Sequence, residues 1–193
     1  MITPKIGQYS SYSKCLIYFH PGAGIAGSPK DMIPILNRYA VEADANVISI
    51  PYRFGSTDKP YNNGWIDGHA AVLDVLETPM RFNCHPKAIA MMGEGGGGWV
   101  ASEIAAKMAL DGDDRLAVQF LVSPDRMTPN SETVEGVNPA ETAYAAVQQL
   151  KFQSHGSPTE SQMAKATASD DAVEKLPKTL FLTSDLDYNE SYV

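Results

Sequence analysis

Two glycine-rich segments carry the residues best suited to chemistry, and each follows directly on an apolar run. The first is residues 20–24, with the sequence HPGAG, and the second is residues 93–98, with the sequence GEGGGG. Small residues allow the backbone to approach a ligand closely, and unpaired N–H groups at the start of a helix attract anions. The second segment, which lies at the start of a predicted helix, therefore predicts a site for an anion.

Apolar runs alternate with segments of helical apolar spacing, and these elements must position the two glycine segments. Strands are predicted at residues 15–19, 47–50, 88–92, 116–122 and 179–183, and helices near 32–40, 65–78 and 99–110. This alternation predicts the α/β class, a mostly parallel sheet with helices on both faces. Because right-handed crossovers bring the carboxyl ends of the strands to one rim, both glycine segments and Asp187 should share it. Ser28 or Asp31 is the expected cap of the first helix.

Composition sets limits on the class of protein. The chain has 193 residues, 44% of them hydrophobic, which predicts a single domain over residues 1–193 with an irregular, cap-like insert at 125–175. The net charge of −8 argues against nucleic acid as a partner, because phosphates would be repelled. No apolar run is long enough for a transmembrane segment, and the start of the chain does not read as a signal peptide. A cytoplasmic location is the default expectation.

The two cysteines, Cys15 and Cys84, are too few for a disulfide framework or a zinc site. Cys15 lies in an apolar strand and is expected to be a buried thiol in a reducing compartment. Cys84 is expected in a loop before Pro86, and a catalytic pair with His85 is disfavoured because adjacent extended side chains point apart. We expect no metal and no cofactor.

Four blocks, in order and spacing, resemble the α/β-hydrolase fold-3 carboxylesterases, the hormone-sensitive-lipase-like family. Residues 20–24 resemble the HGGG oxyanion loop, and residues 47–54 resemble the family's VSVDYRL strand and loop. Residues 88–97, AIAMMGEGGG, resemble the nucleophile elbow IAVMGDSAGG. Residues 176–187 resemble the strand that delivers the catalytic acid. Together the blocks span about residues 15–190.

The resemblance implies a role for each matched residue. The backbone N–H groups of Gly22, Ala23 and Gly96 would stabilise an oxyanion, each contributing on the order of 3 kcal/mol to the transition state. Gly24 completes the small-residue loop, and His20 would anchor it. Asp187 takes the position of the acid that orients a catalytic histidine.

Three departures from the family pattern bear on activity. Gly95 stands where the family has its nucleophilic serine, no histidine follows Asp187, and the chain starts near the family's third strand, without the cap helices or the first two strands. Loss of a triad serine or histidine costs about 10⁶ in turnover. The sequence thus predicts an inactive or strongly impaired member that acts as a ligand-binding or scaffold protein.

Two alternatives stay open. The chain could be an active carboxylic-ester hydrolase whose missing groups come from other sequence or from a partner. Residues 93–98 also match Gly-x-Gly-x-x-Gly, the fingerprint of a nucleotide-binding domain. A small ester or carboxylate is the ligand expected from the resemblance, and a protein partner or an oligomer contact would cover a pocket that lacks its cap.

Overall fold

The structure, a computed structural model, describes residues 1–2, 12–24, 26–54, 63–124 and 174–183. Asp187 and the insert at 125–173 lie outside these residues, so the predictions made for them stay predictions. The described elements, in chain order, are β1 (Ser13–Phe19), α1 (Ile33–Glu42), β2 (Ala45–Ile50), α2 (Asn63–Glu77), a short 3₁₀ helix (Pro79–Phe82), β3 (Cys84–Glu94), α3 (Gly96–Leu110), β4 (Val118–Val122) and β5 (Lys178–Leu182).

The strands form one parallel sheet in the order β2-β1-β3-β4-β5. The chain first steps outward from β1 to β2, and then crosses back over β1 to β3. With right-handed crossovers, that reversal of direction places α1 on one face and α2 and α3 on the other. The predicted α/β class, with a parallel sheet and helices on both faces, is therefore confirmed.

The core is divided between the two faces because strand side chains alternate. In β1, Ile17 and Phe19 pack with α2 and α3, whereas Tyr18 packs with Leu36 and Ala40 of α1. All of these side chains are almost fully buried. Residues 15–19 of β1 therefore form an unbroken apolar run, as expected for a parallel strand that is covered on both faces.

Strand β3 starts earlier than the sequence predicts. It begins at Cys84 and includes His85 and Pro86, which were expected in a loop. Its pairing with β1 shifts register between Ser13 and Cys15, so the first part of β3 bulges away from a regular ladder. Proline is tolerated at a bulge because no ladder hydrogen bond from its missing N–H is required there.

The helices also begin at positions other than those expected. The residue that precedes α1 is Met32, and no side chain caps it. Neither Ser28 nor Asp31 is the cap: the Ser28 carbonyl accepts a hydrogen bond from the Asp31 N–H at 3.1 Å in a preceding turn. Helix α3 begins at Gly96, three residues before its predicted start. In the described part of the chain, no helix has the length and apolar character needed to cross a membrane.

Cys15 is not the free thiol that the sequence predicts. It forms a disulfide with Cys84, and the two Cα atoms are 5.5 Å apart. The prediction was wrong because it assigned Cys84 to a loop. As the first residue of β3, Cys84 instead lies beside the strand that carries Cys15, at a separation suited to a disulfide.

Candidate active site

Strands β1 and β3 are neighbours, and they deliver the two glycine-rich segments to the same rim of the sheet. Phe19, the last residue of β1, pairs with Gly93 of β3. The loop at 20–24 and the turn at 93–98 therefore leave the sheet side by side, as predicted. Asp187 lies outside the described residues, and its place at this rim stays a prediction.

The turn between β3 and α3 is held in an unusual backbone conformation at Gly95. This residue has φ 51° and ψ −119°, a combination that side-chain-bearing residues rarely adopt. Its N–H donates to the Val122 carbonyl at 2.9 Å, and its carbonyl accepts from the Trp99 N–H at 3.1 Å. The sharp strand–turn–helix geometry of a nucleophile elbow is thus present although the serine is not.

Gly95 is also the residue of this turn with room for a side chain. A Cβ atom built there meets only the Pro21 Cβ within 4 Å, at 3.7 Å. The neighbouring glycines have no such room. A Cβ at Gly97 would collide with the carbonyls of Phe19 and His20, and one at Gly93 would collide with α3. Glycine is therefore needed at 93 and 97 for packing, whereas sterics do not require it at 95.

Gly96 allows the loop after β1 to lie directly against the start of α3. A Cβ at Gly96 would be 2.7 Å from the Gly24 nitrogen and 2.9 Å from the Ala23 nitrogen. Ala23 itself has φ 56°, which is strained for a residue with a Cβ. The backbone nitrogens of Ala23 and Gly24 thus converge on the N-terminus of α3, and such an arrangement can bind an anion.

Gly22 shapes the bend of this loop. Its φ is 137°, and a Cβ there would collide with the Ala26 carbonyl. The Gly22 carbonyl accepts a hydrogen bond from the Ala26 N–H at 3.0 Å. This hydrogen bond therefore closes the tight bend that contains Ala23.

His20 fixes the base of the loop. It is 1% exposed, and its Nδ1 lies 2.8 Å from the Pro21 carbonyl oxygen. Its ring stacks on Tyr52 with 4.5 Å between centroids, and the Tyr52 hydroxyl donates to the His20 carbonyl at 2.7 Å. Phe54 packs edge-on against both rings. Sequence reasoning missed the part played by Tyr52 and Phe54, although both lie in the block that resembles the family's second strand and loop.

Glu94 points toward α1, on the sheet face opposite α3. The Tyr39 hydroxyl of α1 donates to the Glu94 carboxylate at 3.5 Å. Burial, followed by the negative charge of Glu94, raises the pKa of both Tyr39 and Tyr18. Because this carboxylate is held by tyrosines beneath the sheet, it supports α1 and does not face the ligand side of Gly95.

The other described histidines lie away from Gly95. His69 lies on α2, where burial and then the charge of Lys107, near the far end of α3, lower its pKa. His85 is exposed at the amino end of β3. The described residues therefore bring no general base to Gly95, and they contain no group of three or more His, Cys, Asp or Glu that could hold a metal ion.

Sequence comparison places these features in a family. Residues 16–191 match a family model described as alpha/beta hydrolase fold. The carboxylesterase NlhH of Mycobacterium tuberculosis is 33% identical over 113 residues, which is 58% of this chain and 35% of that protein. The esterase LipI of the same organism is 29% identical over 116 residues, or 60% of this chain and 36% of that protein.

Solved structures show the same fold. A hyperthermophilic esterase from the archaeon Pyrobaculum calidifontis superposes with a TM-score of 0.76 at 20% identity, covering 90% of this chain and 58% of that one. A thermostable esterase from Pseudomonas putida gives 0.77 at 18% identity, covering 95% of this chain and 60% of that one. The part of this chain that aligns with NlhH and LipI covers about a third of the length of those two proteins. The family model matches nearly the whole length of this chain, which shows that the chain belongs to the alpha/beta hydrolase fold-3 family.

Proposed function

We propose that this chain binds a small carboxylate or ester at the rim formed by residues 20–24 and 93–98, and that it does not hydrolyse this ligand efficiently. The observation that carries the proposal is Gly95. It lies at the turn position from which a nucleophile would project, and it has no side chain. The names of the relatives, carboxylesterase and esterase, suggest the chemical class of the ligand.

Loss of the nucleophile is expected to reduce turnover far more than it reduces ligand binding. Removal of the nucleophile from a serine hydrolase costs about 10⁶ in kcat, while preorganised N–H donors and ligand binding alone retain 10³–10⁴ over water. With glycine at position 95, the predicted donors Gly22, Ala23 and Gly96, together with the Gly24 N–H beside Gly96, keep a binding role. These donors are backbone groups, so the loss of one side chain leaves them in place.

A carboxylate fits this set of donors better than a neutral ester does. Hydrogen bonds to an ionised acceptor are roughly twice as strong as those between neutral groups. The Cβ position of Gly95, which is open apart from Pro21, leaves space beside the donors. One carboxylate oxygen would accept from the N–H groups while the other occupies the space that a serine side chain would fill.

The test measures binding and turnover on the same protein. We expect butyrate to bind and to raise Tm, butyramide to bind more weakly, and p-nitrophenyl butyrate to be hydrolysed no faster than with heat-denatured protein. In Gly96→Ala, the new Cβ must displace Ala23 and Gly24, so butyrate affinity should fall at least tenfold. Gly112→Ala is the control for an added methyl group away from the site: a Cβ there meets nothing within 4 Å, and its φ of 74° costs stability without touching the candidate site.

Three results would overturn the proposal in different ways. Hydrolysis well above the heat-denatured control would favour an active ester hydrolase whose nucleophile lies elsewhere. Stabilisation by NAD or FAD, with none by butyrate, would favour a nucleotide-binding domain. Equal binding of butyrate by the wild type and by Gly96→Ala would show that butyrate does not bind at the loop and the turn.

A further inference from the structure

We propose that the Cys15–Cys84 disulfide is an oxidative clamp that fixes the register of the two strands carrying the candidate site. Both cysteines are buried, Cys15 to 2% exposure and Cys84 to 0%. Their Cα atoms lie 5.5 Å apart, within the range of native disulfides. The disulfide lies toward the amino ends of β1 and β3, at the opposite end of the sheet from Gly95.

The register of β1 against β3 is irregular where the disulfide lies. Ser13 pairs with Cys84, but Cys15 pairs with Ile89, so β1 advances two residues while β3 advances five. Three extra residues of β3 must therefore be absorbed in a bulge. A crosslink from Cys15 to Cys84 confines that bulge to the start of the strand, and the remaining pairs up to Phe19 and Gly93 stay in step.

The site at the other end of these strands requires that register. A slip of one residue moves a strand by about 3.3 Å and turns its side chains to the opposite face. The loop after β1 approaches Gly96 so closely that a single Cβ would not fit between them. A slip of β1 against β3 would therefore separate Ala23 and Gly24 from the start of α3. The clamp acts on the site by positioning, since neither sulfur lies near Gly95.

The chemistry requires an external oxidant. The Cys15 and Cys84 thiols together lose two protons and two electrons as the S–S bond forms. An incoming protein disulfide takes up the two electrons and two protons and leaves as a dithiol. Structural disulfides of this kind persist in oxidising compartments and are rare where glutathione and thioredoxin keep thiols reduced.

The first test is direct. The full chain, produced in the bacterial periplasm, is denatured in the presence of iodoacetamide and digested with trypsin without reductant. We expect the peptides 15–30 and 82–87 to appear as one linked species that is two hydrogens lighter than their sum. Recovery of both peptides with alkylated cysteines would overturn the proposal.

A second measurement distinguishes a clamp from a crosslink with no influence on the site. The closed loop has a sequence separation of 69 residues, for which loss of the disulfide should lower Tm by about 10 °C. Wild type kept reduced with a phosphine and the double variant Cys15→Ala/Cys84→Ala should both show this loss. Amide hydrogen exchange should rise at Phe19 and Gly93 and stay unchanged in α1. Equal exchange at Phe19 and Gly93 in the oxidised and reduced forms would overturn the clamp, even if Tm changed.

Discussion

The two rims of the sheet are held together in different ways. At the carboxyl rim, the backbones of β1, the loop after it and α3 touch directly through Gly93, Gly96 and Gly97. At the amino rim, a disulfide joins β1 to β3, and exposed ion pairs such as Arg115 with Asp113 hold the turn after α3. The carboxyl rim is held by backbone contacts that require glycine, and the amino rim is held by contacts between side chains.

This difference indicates where the molecule tolerates change. Contacts between backbones cannot relax by rotation of a side chain, so an added methyl group must move a strand or a helix. Exposed ion pairs, in contrast, contribute little and can be lost at small cost. Gly95 is the exception at the carboxyl rim, because its constraint is conformational and not steric.

The largest effect is expected from Gly97→Ala. Its Cβ would collide with the Phe19 carbonyl and lie 2.5 Å from the His20 oxygen, so α3 must move away from β1. We expect the free energy of unfolding to fall by about 3 kcal/mol, at the upper end of overpacking effects. Urea unfolding followed by circular dichroism measures it. A loss as small as that of Gly112→Ala would mean that the contact at the carboxyl rim is not rigid.

An intermediate effect is expected from Gly95→Ser, with Gly95→Ala as its matched control. Both side chains fit, but both must adopt φ 51° and ψ −119°, at a cost of about 1–2 kcal/mol. Equal losses in urea unfolding would assign the cost to the backbone alone. Because the described residues bring no base to position 95, Gly95→Ser should hydrolyse p-nitrophenyl butyrate no faster than Gly95→Ala. Substantial activity of the serine variant alone would reveal a base outside the described residues.

The smallest effect is expected at the amino rim, from Asp113→Asn. Hydrogen bonds from Arg115, at 2.8 Å and 2.6 Å, are the main cause of the lowered pKa of Asp113. The stabilisation from a lowered carboxyl pKa is present above the unfolded value of about 3.9 and is lost as the pH falls through the folded value. The variant should therefore lose less than about 1 kcal/mol at pH 7 and nothing at strongly acid pH.

Thermal unfolding of Asp113→Asn across the pH range checks this expectation. Asp114→Asn, at the exposed neighbouring residue, is the control for a general change in charge. A loss at pH 7 as large as that of Gly97→Ala would show that the ion pair at the amino rim matters as much as the backbone contacts at the other rim.

The sequence predicts the class of the fold and the place of the site because both depend on local patterns. Apolar runs followed by glycines mark β1 and β3, and parallel strands share a rim, so the two segments are expected to meet. Gly95 is identified from motif spacing alone. The sequence alone shows that position 95 lacks a side chain. Only the structure shows that there is space for one.

Contacts between residues that are far apart in the sequence are not predicted by local patterns. The Cys15–Cys84 bond depends on a bulge that displaces the register of β3, and no local pattern reports that displacement. The support of His20 by Tyr52 joins the loop after β1 to the segment after β2, 32 residues apart. The need for glycine at 96 likewise arises from the position of Gly24, which only the folded chain defines.

The open space at Gly95 has a consequence for how this protein diverges from its relatives. At positions 93 and 97, a mutation to any larger residue is opposed by backbone contacts, so natural variants of this chain should retain glycine there. At position 95 a serine fits at a modest conformational cost, so selection on the ligand and its chemistry decides which residue persists. Drift between glycine and serine at this position is therefore sterically open in both directions, and the fold preserves the frame of a hydrolase site whichever of the two occupies it.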